Sequence, residues 1–186
     1  MIIGIAGTHG AGKGTVVSYL VEHRGFTHFS ARELIKEEVA RRGLEPTRLN
    51  ISATVTDMRN SVSPLWVVET LLKRAEEKGG DAVIESIYTL AEMEYLHSHG
   101  AIVFAVDADL KARYERIVKR ASETDHITFE AFKEQQEREL ASSDPNSQNV
   151  VAVMKAADCH STNNGTEAEL FVQIEAALAG KMETQK

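Results

Sequence analysis

Apolar residues along this chain fall into two spacings. Unbroken runs of strand length recur at Ile2 to Ala6, Phe26 to Phe29, Ala82 to Ile84 and Ala101 to Val106, with a weaker run from Cys159 to Thr162. Between them lie stretches of helical period: Gly14 to Arg24, Ala31 to Arg42, Thr47 to Asn60, Leu65 to Lys78, Leu90 to His99 and Leu110 to Ala121. Unbroken runs suit strands buried on both faces, and intervening helices suit parallel crossovers. The pattern predicts a doubly wound α/β domain with a parallel five-stranded sheet between layers of helices.

One segment breaks the alternation. Ser122 to Asn149 is charged, holds the helical-looking "TFEAFKEQQEREL" and ends in "SSDPNSQN". It predicts a small helical lid above the sheet, spanning about 121 to 146. No repeat, low-complexity tract or linker marks a second domain, and 186 residues suit one core.

Composition narrows the function classes. No apolar stretch approaches the roughly 20 residues that span a bilayer, and the N-terminus lacks a signal-peptide pattern, so a cytoplasmic protein is expected. A single cysteine, Cys159, leaves no partner for an internal disulfide and too few sulfurs for a cysteine-based zinc cluster, so packing is its expected role. His97 and His99, two residues apart without a nearby cysteine, read as solvent-exposed and not as metal ligands. A net charge of −7 argues against nucleic-acid or membrane partners. An anionic ligand would need locally concentrated positive charge.

The opening stretch supplies such a place. "GIAGTHGAGKGTVVSYL" reads strand, then Gly7-Thr8-His9-Gly10-Ala11-Gly12-Lys13-Gly14-Thr15, then helix. Backbone N–H groups converging at a helix N-terminus bind phosphate oxygens, side chains would block that approach, and a lysine can reach the β and γ phosphates. This predicts a phosphate-binding P-loop. The usual hydroxyl after the lysine, which meets Mg2+, is Gly14 here, and Thr15 carries it one position later.

G-K-G-T resembles the P-loop of adenylate kinases and related nucleoside monophosphate kinases, and four further stretches extend the resemblance over most of the chain. After the second strand, Ser30 and Lys36 fall where that family has a hydroxyl and a cation for the acceptor, although the family's usual cation is arginine. A solvated helix face is an equal reading for Lys36. Glu85 closes "VIESI" where the family carries an acid that organises Mg2+ and its waters; a strand-end carboxylate in water is the plain alternative. In "DLKARYERIVKR", Leu110, Tyr114, Ile117 and Ala121 form an apolar stripe beside a ridge of Arg113, Arg116 and Arg120. "RIVKR" is similar to the segment before the adenylate-kinase lid, which implies that Arg116 packs on the base and Arg120 reaches phosphate; a solvated ridge would look the same. "ADCHSTNNGTEAEL" resembles a segment of dephospho-CoA kinases and small kinase-like proteins, which implies that Asn163, Asn164, Gly165 and Thr166 lie against the adenine. Read alone, that segment is a turn and a helix N-cap.

The resemblance implies a P-loop NTPase fold with an acceptor-binding helical region at about 31 to 78. The expected reaction moves the γ-phosphoryl group of ATP, with Mg2+, to a small nucleotide acceptor. Lys13, Glu85, Arg120 and Arg138 of the lid helix are the expected catalytic residues, and Thr15 and Glu85 the expected metal contacts. On the acceptor side the chain departs from the family: "ESIYTLAEME" has Tyr88 and Thr89 but no arginine after the acid, and Arg59 in "TDMRNSV" is the candidate substitute. Two other readings stay open. One is a dephospho-CoA kinase, favoured by the N-N-G-T segment and the missing arginine. The other is an ATP-binding regulatory switch with weak or no transferase activity. No guanine-reading N-K-x-D occurs, and the length argues against a full AAA-type module with its helical lid domain.

Overall fold

In a computed structural model of the chain, residues 1–120, 128–141 and 149–184 are described. The strands are β1 (Ile2–Gly7), β2 (Thr27–Phe29), β3 (Ala82–Ile87), β4 (Ile102–Asp107) and β5 (Cys159–Thr162). All pair in parallel in one sheet of order β2-β3-β1-β4-β5. Because the chain leaves β1 for the edge strand β2, returns inward through β3 and then crosses β1 to β4 and β5, the carboxyl ends of β3, β1 and β4 meet at a topological switch point, where such sheets bind ligands.

Side chains alternate across the sheet and divide the core in two. Ile3, Ile5, Val83, Phe104 and Val106 face α1 (Lys13–Arg24) and α9 (Glu167–Thr184). Ala6, Ile84, Ile87, Val103 and Ala105 face the opposite layer, built from α2 (Ala31–Arg41), α4 (Trp66–Lys78), α5 (Leu90–Ser98) and α8 (Val150–Ala156). The outcome is the three-layer α/β architecture expected from the apolar pattern. Cys159 is buried in the first cluster, and burial pushes its thiol pKa up, as a packing role requires.

The remaining helices are α3 (Arg48–Ser61), α6 (Leu110–Arg120) and α7 (Phe129–Ala141). Helix starts follow the sequence chemistry: Ser30 caps α2 by accepting from Glu33 N, Thr47 caps α3 by accepting from Asn50 N, and Thr89 with Glu92 forms a capping box on α5. Helix α7 falls within the span of the expected lid, whose residues 121–127 and 142–148 lie outside the described residues. Helix α8 is an addition; "VVAVMKA" is too short and too evenly apolar to declare a period. Among the described residues no helix is long and apolar enough to cross a membrane.

Candidate functional site

The glycine loop joins β1 to α1 at the switch point. Helix α1 starts at Gly12 without a side-chain cap and has no acidic residue in its first turn. Its leading amides therefore carry the positive end of the helix dipole toward open space. A Cβ at Gly14 would meet nothing within 4 Å. Gly12 differs: its φ of 104° lies in the left-handed region, and a Cβ there would stand 2.2 Å from Asn163 Nδ2. Lys13 Nζ donates to the carbonyls of Gly7 at 2.8 Å and Thr8 at 3.0 Å, folding the ammonium over the loop.

Asn163 and Asp107 brace the loop from outside, and Arg116 holds Asn163. Asn163, 7% exposed, donates from Nδ2 to Ala11 O at 2.9 Å, and its own N–H donates to Asp107 O at 2.7 Å. Arg116 donates from Nη2 to Asn163 O at 2.6 Å, while its Nη1 is buried without a hydrogen-bond partner. Thr8 Oγ1 donates to Asp107 Oδ1 at 2.7 Å, so its side chain ties the loop to β4.

Arg113 corrects the arginine ridge. It is 7% exposed, donates from Nε to Ala108 O at 2.9 Å, from Nη1 to His9 O at 3.4 Å and to Gln136 Oε1 of α7, and lies 5.7 Å from the Phe132 ring. Position 113 shares the helix face of buried Ile117, which turns it inward. Arg120 is exposed in the last turn of α6, and the side chain of Arg138 lies outside the described residues. Asn164 Oδ1 accepts from Asp109 N at 2.8 Å, and Thr166 caps α9 by accepting from Glu169 N at 3.3 Å; with Gly165 they form the turn behind Asn163.

On the other side of β1, β3 ends in a bulge. Ile5 pairs with Glu85 and Ala6 with Ile87, leaving Ser86 as the extra residue at φ 71°. Glu85 Oε1 accepts from Ser30 Oγ at 3.0 Å and faces His28 Nε2 at 3.5 Å. His28 first, then Ser30, holds the Glu85 carboxyl below its ordinary value against the cost of burial, with the Lys13 charge adding to the effect. Reciprocally, Glu85 raises the His28 pKa. Thr15 hydroxyl and Glu85 carboxylate are hard oxygen donors of the kind Mg2+ takes alongside waters and phosphates. Among the described residues no group of three or more His, Cys, Asp or Glu could hold a metal ion.

Beside this end of β3 lies a cleft of about 300 Å³ bordered by α2, α3 and α4, and Arg59, Glu92, Ser86, Tyr88, Ser52 and Thr56 supply its polar lining. Arg59 and Tyr88, singled out from sequence, meet here; Lys36 is exposed on α2 and does not line the cleft. Glu92 and Ser86 escaped the sequence reading. The Thr89-x-x-Glu92 spacing announces a helix cap but not the arginine partner, and nothing in the sequence announces the bulge. Tyr88 connects cleft and loop: Lys13 Nζ stands 5.9 Å from its ring centre. A second cavity, about 480 Å³, lies between α7, α8 and the ends of β4 and β5, with Asp107, Arg113, Gln136 and Ser161 among its walls.

The sheet order and the loop define a P-loop NTPase with a kinase-like architecture. Residues 3–141 match the family described as the AAA domain, and the chain belongs to that family. The AAA class, set aside on length for the full module with its helical lid domain, is thus nonetheless its family. A UPF0200 protein of Pyrobaculum aerophilum is 33% identical over 141 residues, 75% of this chain and 77% of that one. Among solved structures, TT1252 from Thermus thermophilus superposes with a TM-score of 0.64 at 20% identity, covering 100% of this chain and 98% of its own. Shikimate kinase from Aquifex aeolicus gives 0.56 at 16% identity over 98% of each chain. At such identities these two likenesses speak for the fold alone.

Proposed function

We propose that the protein is an ATP-dependent phosphotransferase acting on a small molecule. The observation that carries this reading is the adjacency, through Tyr88, of an uncapped, lysine-bearing helix N-terminus and a polar cleft. ATP with Mg2+ supplies the γ-phosphoryl group. The amides of α1 and Thr15 hold the phosphate chain, Lys13 leaves the Gly7 and Thr8 carbonyls to neutralise the β and γ phosphates, and Glu85 orients the metal's waters. Arg116, with one donor unpaired and Asn163 beside it, borders the base. Arg120 of α6 and Arg138 of α7 are the further cations for the transferred group. Residues 31–78 act as the acceptor-binding region of a single kinase domain.

Little covalent chemistry falls to the protein in such a transfer, so positioning and charge neutralisation account for most of the rate. Saturating ATP and Mg2+ should raise the melting temperature, by linkage of about 2.7 kcal/mol at a hundredfold excess over Kd. Lys13→Ala should lose about 1.5 to 3 kcal/mol of nucleotide binding with one charge-assisted contact, and lose the transfer. A wild type whose melting point ignores ATP defeats the reading. The resemblance offers a nucleoside monophosphate or dephospho-CoA as acceptor, and the charge of the cleft bears on that choice.

A further inference from the structure

Among the described residues that line the cleft beside β3, Arg59 is the one cation and Glu92 the one anion. Arg59 Nη2 stands 3.5 Å from Glu92 Oε1, and Glu92 is 4% exposed, so the guanidinium's charge is already balanced by a buried carboxylate. Glu92 cannot swing away cheaply, because Oε2 accepts from Tyr88 N at 2.9 Å and Thr89 N at 3.1 Å. What Arg59 still offers is Nε, buried and without a hydrogen-bond partner. The other polar groups there are the hydroxyls of Ser52, Thr56, Ser86 and Tyr88.

Bringing a phosphate monoester dianion against this lining would leave two uncompensated negative charges in a partly desolvated place, and desolvated charge without a counter-charge is costly. A hydroxylated molecule meets the opposite situation. It brings at most one charge, and one of its oxygens, or one carboxylate, takes the open Nε–H.

We propose, resting on the phosphotransferase reading above, that the acceptor is a small alcohol carrying at most one negative charge, and not a nucleoside monophosphate. In the transfer, the acceptor oxygen bonds to the γ-phosphorus while the bond from that phosphorus to the β–γ bridging oxygen breaks. The bond pair leaves with ADP, and the hydroxyl proton is released to solvent water.

The test is initial ADP release by the full chain at saturating ATP and Mg2+, with four acceptor panels: hydroxy monocarboxylates, uncharged sugars and nucleosides, nucleoside monophosphates, and dephospho-CoA. The best hydroxy acid or neutral alcohol should exceed the best nucleoside monophosphate in kcat/KM by at least about tenfold. If the acceptor is a hydroxy acid, Arg59→Ala should raise its KM by about tenfold or more; a neutral alcohol should lose much less, which separates the two sources. Glu92→Gln keeps a capping-box side chain and removes the balancing charge, so it should improve kcat/KM for nucleoside monophosphates relative to alcohols by about tenfold. A nucleoside monophosphate or dephospho-CoA as the best acceptor, or no turnover of any alcohol, overturns the proposal while ATP-induced stabilisation keeps the phosphotransferase reading. Absence of ATP binding in the same samples removes that reading, and the acceptor class with it.

Discussion

Asn163 donates its side-chain amide to the carbonyl of Ala11, at 2.9 Å, from a position 152 residues along the chain. This bond fastens the glycine loop to the turn after β5, and Arg116 fastens the same turn to α6. Asn163→Ala leaves a buried carbonyl unpaired, at a cost of about 1 to 3 kcal/mol. ATP binding should weaken as well, because the loop loses its brace. Chemical denaturation and ATP titration of the variant check both halves; unchanged values for both would make the contact incidental.

The two glycines flanking Lys13 should respond in opposite directions. Gly12→Ala puts a side chain on left-handed backbone and against the Asn163 amide, so it should destabilise by about 1 to 3 kcal/mol. Gly14→Ala enters open space within a helix and should leave stability equal or raise it by up to about 1 kcal/mol. If phosphates approach the α1 amides, Gly14→Ala nevertheless weakens ATP binding. Melting curves with and without ATP separate the two effects, and a Gly14→Ala protein with undiminished ATP response places the ligand elsewhere.

Much of this frame could be read in the sequence, and the losses have physical causes. Strands such as Ile2–Gly7 declare themselves because burial on both faces demands an unbroken apolar run, and Gly7 to Thr15 because backbone cannot approach phosphate past side chains. Arg113 is not placed by its period because a periodic stripe cannot tell a solvated arginine from one drawn inward by the Ala108 carbonyl and by that of His9, 104 residues away. Ser86 and the Arg59–Glu92 pair were invisible because they depend on a bulge and on two helices meeting, neither of which has a local signature.

The pairing of His28 with Glu85 predicts a pH effect of definite sign. His28 is the largest influence lowering the Glu85 pKa, so removing it lets that value rise. In His28→Gln the acid limb of kcat/KM should move to higher pH, while the rate well above the limb changes little. Parallel pH–rate profiles decide the matter, and an unmoved limb would separate Glu85 from catalysis.

Acid stability should depend on Glu38. Its carboxylate accepts from Arg41 Nε and Nη2, each at 2.7 Å, and from Arg42 Nε at 2.8 Å, which lowers its pKa to about 2. A depressed folded-state value stabilises the fold above the unfolded value of 4.5, and that contribution fades as pH falls toward about 2. Glu38→Gln should therefore be less stable than wild type near neutrality and lose less on acidification across that window. Urea denaturation at several acidic pH values measures it; parallel stability curves for the two proteins would contradict the assignment.

The phosphotransferase claim itself is tested most directly by following the γ-phosphorus of ATP. With protein, ATP, Mg2+ and the pooled acceptor panels, 31P NMR should show a new phosphoester resonance growing with ADP in the wild type and not in Lys13→Ala. Inorganic phosphate as the only product, or ATP left unconsumed, would contradict it.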